Sequence, residues 1–198
     1  METTTEIRAV RAFAVRAMSA AALREIRGRD DAGRPAAPFA DVEGGAPLRC
    51  CLRRSAVGER IALVSYAPLR RWAAETGAEP GAYDEQGPVF VHADACPGFT
   101  GDGAPGDGFI GDGFIGDGAP GDGFIGDGAS SAGSAHPFGE AHRTVRRYSG
   151  EGRILGGALV GAGGLDAALR EAFDDPAVAF VHVRAVEYGC YLYEVRRT

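Results

Sequence analysis

An α+β fold, a mostly antiparallel sheet with two main helices in a single domain spanning 1–198, is predicted by three features of the sequence. Short runs of β-branched and aromatic residues are separated by Gly-containing turns, at 48–66 and again at 142–160. Two segments, 18–27 and 164–175, carry apolar residues at helical spacing. The last twenty residues, VAFVHVRAV and GCYLYEVRR, form two strand-like runs joined by a very short connection.

In chain order, residues 5–12 alternate as an edge strand. Residues 18–27 (MSAAALREIR) form a helix with Ser19 as its N-cap and Gly28 at its end. The stretch 28–47 is rich in Gly, Pro and Asp and reads as a long loop. LRCCLRR (48–54) and IALVSY (61–66) read as a β-hairpin around Val57-Gly58, and one or two helical turns follow Pro68 up to Gly77. A strand is expected at 89–93, with Pro88 at its start. The hairpin 142–149/153–160 turns at Gly150-Glu151-Gly152. The helix at 164–175 aligns Leu165, Leu169 and Phe173, with Asp166 placed at its positive N-terminal end.

Between the two halves lies a low-complexity insert, 97–139, whose residues 101–130 are six tandem GDGxx units. A period of five matches neither strand nor helix nor the known calcium-binding repeats, so the insert reads as an expendable Gly/Asp tether. It supplies six Asp, which accounts for the whole net charge of −6 and leaves 21 acidic against 21 basic groups elsewhere. The remainder is neutral, so no basic field favours nucleic acid. All 21 basic residues are Arg. Without Lys, Walker-type phosphate loops and Schiff-base chemistry are excluded. No apolar run is long enough for a membrane span or a signal peptide, which leads to the expectation of a cytosolic protein with four free thiols.

Three constellations bear on chemistry. The Gly-rich 157–169 lacks the third Gly of a dinucleotide fingerprint and reads as an ordinary loop. A zinc site drawn from Cys50, Cys51, His92, Cys96, His136 and His142 lacks paired CxxC spacing, and adjacent cysteines on a strand face opposite ways, so no metal or cofactor is expected. In the C-terminal hairpin, His182 and Arg184 share a face. A two-residue loop at Glu187-Tyr188 pairs Ala185 with Cys190, puts Tyr191 and Tyr193 beside His182, and sends Cys190 to the apolar face; an odd loop brings Cys190 to His182 instead.

The candidate ligand-binding residues are therefore Arg49, Arg147, Arg184, His182 and Tyr191, suited to a small anionic molecule through guanidinium forks. The candidate catalytic residues are Cys190, His182, Cys51 and His92, for a Cys/His-dependent enzyme acting on a small metabolite. A third reading is an interaction domain without catalysis.

The stretches PLRCCLRRSAVGERIALVSYAPLRRW, GAYDEQGPVFVH, RRYSGEGRILGG and VAFVHVRAVEYGCYLYEVRR resemble the bacterial domain-of-unknown-function 1203 family, in an actinobacterial-type form. The resemblance spans nearly all of the chain outside the insert and implies no activity. It marks Arg49, Cys51, His92, His182, Arg184, Gly189 and Cys190 as lying in hallmark stretches, with Leu48 and Ala185 where many members look to carry Cys and Asn.

Overall fold

A computed structural model describes residues 13–99, 136–139 and 141–198. The expected edge strand at 5–12 and the GDGxx repeat lie outside the described residues. The elements are, in order, β1 (Phe13–Arg16), α1 (Ala20–Gly28), β2 (Pro38–Asp41), β3 (Pro47–Leu48), β4 (Arg53–Arg54), β5 (Glu59–Tyr66), α2 (Pro68–Thr76), β6 (Gly87–His92), β7 (Arg143–Tyr148), β8 (Ile154–Val160), α3 (Leu165–Asp174), β9 (Phe180–Ala185) and β10 (Tyr191–Arg197). The class is α+β, but the strands form two five-stranded sheets, ordered β1-β10-β9-β7-β8 and β2-β5-β6-β3-β4. Among the described residues, all strand pairings are antiparallel except β3 with β6. No described helix is long and apolar enough to cross a membrane.

Local signals explain the helices. The Ser19 hydroxyl accepts the Ala22 N–H at 3.2 Å and caps α1, which buries Ala22, Leu23 and Ile26 against β5 and β6. Replacing Ser19 by Ala is expected to cost about 1 kcal/mol in a urea melt, the usual worth of an N-cap. Pro68 supplies the first turn of α2, and Gly77, in the left-handed region at φ 74°, ends it. In α3, Leu165, Leu169, Ala172 and Phe173 form one buried stripe. They pack on Val145, Val181, Val183 and Val195 of the C-terminal sheet.

The halves are joined by a third apolar cluster. Leu69 and Trp72 of α2 lie against Tyr148 and Phe180, with Trp72 4.7 Å and Tyr148 4.8 Å from the Phe180 ring. Each such large side chain taken fully out of water is worth about 1.5–3 kcal/mol. Gly152, at φ 75°, lies against this cluster: a Cβ there would meet Pro80 at 3.0 Å and Trp72 at 3.2 Å, so the β7–β8 turn accepts only glycine at close approach.

Three expectations are corrected. The loop 28–47 contains a strand, β2, which pairs with β5. The run 48–54 is not one strand paired with 61–66. It folds on itself as β3, a turn at 49–52 and β4, while β5 pairs with β2 and β6. The Leu52 N–H closes this turn onto the Leu48 carbonyl at 2.9 Å, with Leu52 in the left-handed region at φ 57°. In the last hairpin, Ala185 does oppose Cys190, donating its N–H to that carbonyl at 2.9 Å. A bulge between Tyr191 and Tyr193 then shifts the register, pairing Val183 with Tyr193 and His182 with Glu194. Tyr191 therefore joins His182, whereas Tyr193 packs with the apolar face.

Candidate metal centre

The β3–β4 turn is fixed at its base and at its tip. Arg49 donates its N–H to the Phe90 carbonyl of β6 at 2.9 Å, and its buried guanidinium donates through Nε to the Tyr191 carbonyl at 2.8 Å and also to the Pro47 carbonyl. With Arg49 held and Leu52 in a left-handed conformation, Cys50 and Cys51 turn toward the same side. Their sulfurs stand 3.9 Å apart, so the expectation that strand alternation separates them fails: these residues are in a turn. β6 ends at His92, and the chain leaves it through a segment without helix or strand that carries Cys96.

The outcome is one cluster of four donors. The sulfurs of Cys50, Cys51 and Cys96 and a ring nitrogen of His92 all lie within 4.8 Å of one another. His92 Nδ1 is 3.0 Å from Cys50 Sγ and 3.8 Å from Cys51 Sγ. Cys50 and His92 are buried, while Cys51 and Cys96 are half-buried.

Around the donors sits a second layer of contacts. The His92 backbone N–H donates to Cys50 Sγ at 3.3 Å, and the Arg53 backbone N–H donates toward Cys51. His92 Nε2 lies 2.7 Å from the Glu59 carboxylate. Arg53 reaches that carboxylate with both ends of its fork, one at 2.9 Å, and the Ala56 N–H donates to it at 2.7 Å. The Arg53 fork holds the Glu59 carboxyl down to about 2, so it is ionised throughout the physiological range.

Charge is distributed unevenly across the cluster. The Cys50 thiol, donating to Cys51, is pushed up, with burial adding to the effect; the Cys51 thiol, accepting that bond and facing His92, is pulled down. His92 rises to about 9, held first by its contact with Cys51 and then by Glu59.

Three sulfurs and one imidazole are a complete Cys3His set for a tetrahedral ion. Bond lengths of about 2.3 Å to sulfur and 2.0–2.1 Å to nitrogen imply donor separations of about 3.8 Å between sulfurs and about 3.6 Å between sulfur and nitrogen. The observed 3.9 Å between the Cys50 and Cys51 sulfurs and 3.8 Å from Cys51 to His92 match these edges, and the 3.0 Å from Cys50 to His92 opens by about half an ångström to fit. With Nδ1 as ligand, Nε2–H is left to donate to Glu59, the carboxylate–histidine arrangement that orients metal-bound imidazoles.

The other expected site residues do not converge. His182 has no exposed surface. Its ring packs on Tyr148, Phe180 and Tyr191 at 4.6, 5.3 and 5.0 Å, and its Nε2 is 3.7 Å from Glu194. Burial pulls its pKa down, so it is neutral. Cys190 is half-buried opposite Ala185, its Sγ 3.9 Å from the Tyr188 carbonyl, and is not paired with His182. Arg184 donates to the Gly189 carbonyl at 2.7 Å and to Glu85 at 2.6 Å. Arg147 pairs with Val181, which puts it on the face of the sheet opposite His182 and Arg184, over Gly156.

Of the four catalytic candidates, the structure brings Cys51 and His92 together. It adds Cys50 and Cys96, which the sequence offered only for a zinc site that its spacing argued against, and Glu59 and Arg53, which belong to neither list of candidates. The readable signal was the adjacency Cys50-Cys51 together with His92 four residues before Cys96.

A family model described as "Protein of unknown function (DUF1203)" matches residues 45–197. Neither a curated protein nor a solved structure matches the chain.

Proposed function

Because the chain belongs to the DUF1203 family, whose description assigns no activity, function has to be read from the site, and we propose that the protein is a metalloprotein holding one zinc ion through Cys50, Cys51, His92 and Cys96. The observation that carries this reading is the mutual approach of four donor atoms to within 4.8 Å. Four protein ligands close the coordination sphere, which is the pattern of a structural rather than a catalytic zinc. Thiolate and imidazole donors select zinc over the hard cations that oxygen ligands hold. Three thiolates and one zinc leave a net charge of −1, which the Arg53 guanidinium faces while it pairs with Glu59.

A Cys/His-dependent enzyme is the second reading. Cys51, His92 and Glu59 follow the order nucleophile, base and orienting carboxylate. Against it, Cys50 stands closer to Nδ1 than Cys51 does, and a nucleophile needs neither of the two further sulfurs. Binding of a small anion by Arg49, Arg147, Arg184, His182 and Tyr191 draws less support. Arg49 and Arg184 are spent on carbonyls and Glu85, and Arg147 lies on the other face.

Elemental analysis of protein purified without added metal tests the proposal. One zinc per chain is expected in the unaltered protein and in Cys190→Ser, and a small fraction of that in Cys50→Ser. Glu59→Gln should keep the fold and weaken zinc binding about 10- to 100-fold in a chelator competition, the usual effect of losing a carboxylate behind a ligating histidine. Protein that carries no zinc and takes up neither zinc nor cobalt on titration would rule the reading out.

A further inference from the structure

Resting on the zinc reading, we infer that the site is an oxidant-released one, in which a hydroperoxide joins Cys51 to Cys96 and expels the metal. The four ligands are unequal. Cys50 and His92 are buried, Cys50 to 1 % exposure, whereas Cys51 and Cys96 are only half-buried. The sulfurs of these two less buried residues lie within 4.8 Å of each other.

Chain geometry selects that pair. Consecutive Cα atoms are about 3.8 Å apart across a trans peptide, below the roughly 4.4 Å at which unstrained disulfides begin, so a Cys50–Cys51 bridge is disfavoured. Cys96 sits on a segment held by neither ladder nor helix, which lets its sulfur close the remaining gap, while Cys50 is tied by the His92 N–H. Cys190, opposite Ala185 at the far hairpin, belongs to no part of the cluster and serves as an internal control.

The chemistry balances with the hydroperoxide as the only co-reactant. The Cys51 thiolate attacks a peroxide oxygen; the O–O bond breaks, and the departing hydroxide takes a proton to become water, leaving a sulfenic acid. The Cys96 thiolate then attacks that sulfur, the S–O bond breaks, and a second hydroxide leaves and is protonated. Two thiolates are oxidised to one disulfide, hydrogen peroxide is reduced to two waters, and two protons are consumed. Zinc stays divalent, but with Cys50 and His92 alone it has lost half its ligands and dissociates.

The zinc-loaded full chain treated with hydrogen peroxide is the test, with released metal read by a chromophoric chelator and disulfides mapped by peptide mass spectrometry. The expected result is one zinc released per disulfide formed, the disulfide linking Cys51 to Cys96, and recovery of binding after a dithiol reductant. Cys190→Ser should behave identically, and Cys96→Ser should form no intrachain disulfide. Zinc retained at peroxide levels that oxidise a free cysteine, or release accompanied by a Cys50–Cys51 bridge or by sulfinic acid alone, overturns the switch and leaves the zinc site standing. A protein that holds no zinc before treatment overturns the zinc reading itself.

Discussion

Stripping zinc from the purified protein with a strong chelator is expected to lower its thermal midpoint by about 8–16 °C. An ion held about a thousandfold above its dissociation constant contributes about 4 kcal/mol, and in a chain of this size each kcal/mol moves the midpoint by about 2–4 °C. The effect is large because Cys50 is itself part of the N-terminal core, packed with Leu48, Ile61 and Val91. Restoring zinc should restore the midpoint. Since zinc binds deprotonated cysteine and neutral histidine, the stabilisation should also fade as pH falls, protons competing for the ligands. Scanning fluorimetry with chelator, with zinc and across pH measures both; an unchanged midpoint would show that the ion contributes nothing to the fold.

Glu85→Ala is expected to cost about 3 kcal/mol in urea. Glu85 projects from the connection between α2 and β6 and accepts from Arg146 through both oxygens at 2.8 Å and from Arg184 at 2.6 Å. Its side chain is 7 % exposed and that of Arg184 9 %. Truncation strands a guanidinium inside the protein, and breaking one side of a buried pair costs about 3–5 kcal/mol. Arg146 keeps about a third of its surface in water, which favours the lower end. Changing Arg184 to Met in the same chain should recover part of the loss, because the stranded charge is then gone. A loss below about 1 kcal/mol for Glu85→Ala, with no recovery in the double variant, would mean that the carboxylate is not holding the two arginines. The same ion group explains why Arg184, chosen from sequence as a ligand-binding residue, is already occupied. A carboxylate 99 residues away is invisible to strand parity.

Elements that announce themselves locally were legible in the sequence. Ser19, Gly77 and the Leu165-Leu169-Phe173 stripe mark their helices, and Gly150-Glu151-Gly152 marks the β7–β8 turn. What stayed hidden depends on partners far along the chain or on a residue in an unexpected conformation. The turn that gathers Cys50 and Cys51 uses Leu52, not glycine, at positive φ, so nothing in the composition signals it. β2 is four residues long, begins with Pro38 and lies on an edge, inside a stretch whose composition reads as loop. The bulge at the start of β10 separates Tyr193 from His182 without a glycine to flag it. The assumption that 48–54 is a strand hid the four-donor cluster, since alternation divides two cysteines that a turn unites.

Leu48 with Phe90 is the one parallel pairing among the described residues, and it joins the two parts of the donor set. It sets the turn bearing two cysteines beside the end of β6, whose other edge is paired with β5. On either side of that pairing lie two donors, Cys50 with Cys51 and His92 with Cys96, and neither pair alone encloses an ion tetrahedrally. An ion bound there would therefore act as a clasp across a parallel bridge, fastening two stretches of chain about forty residues apart.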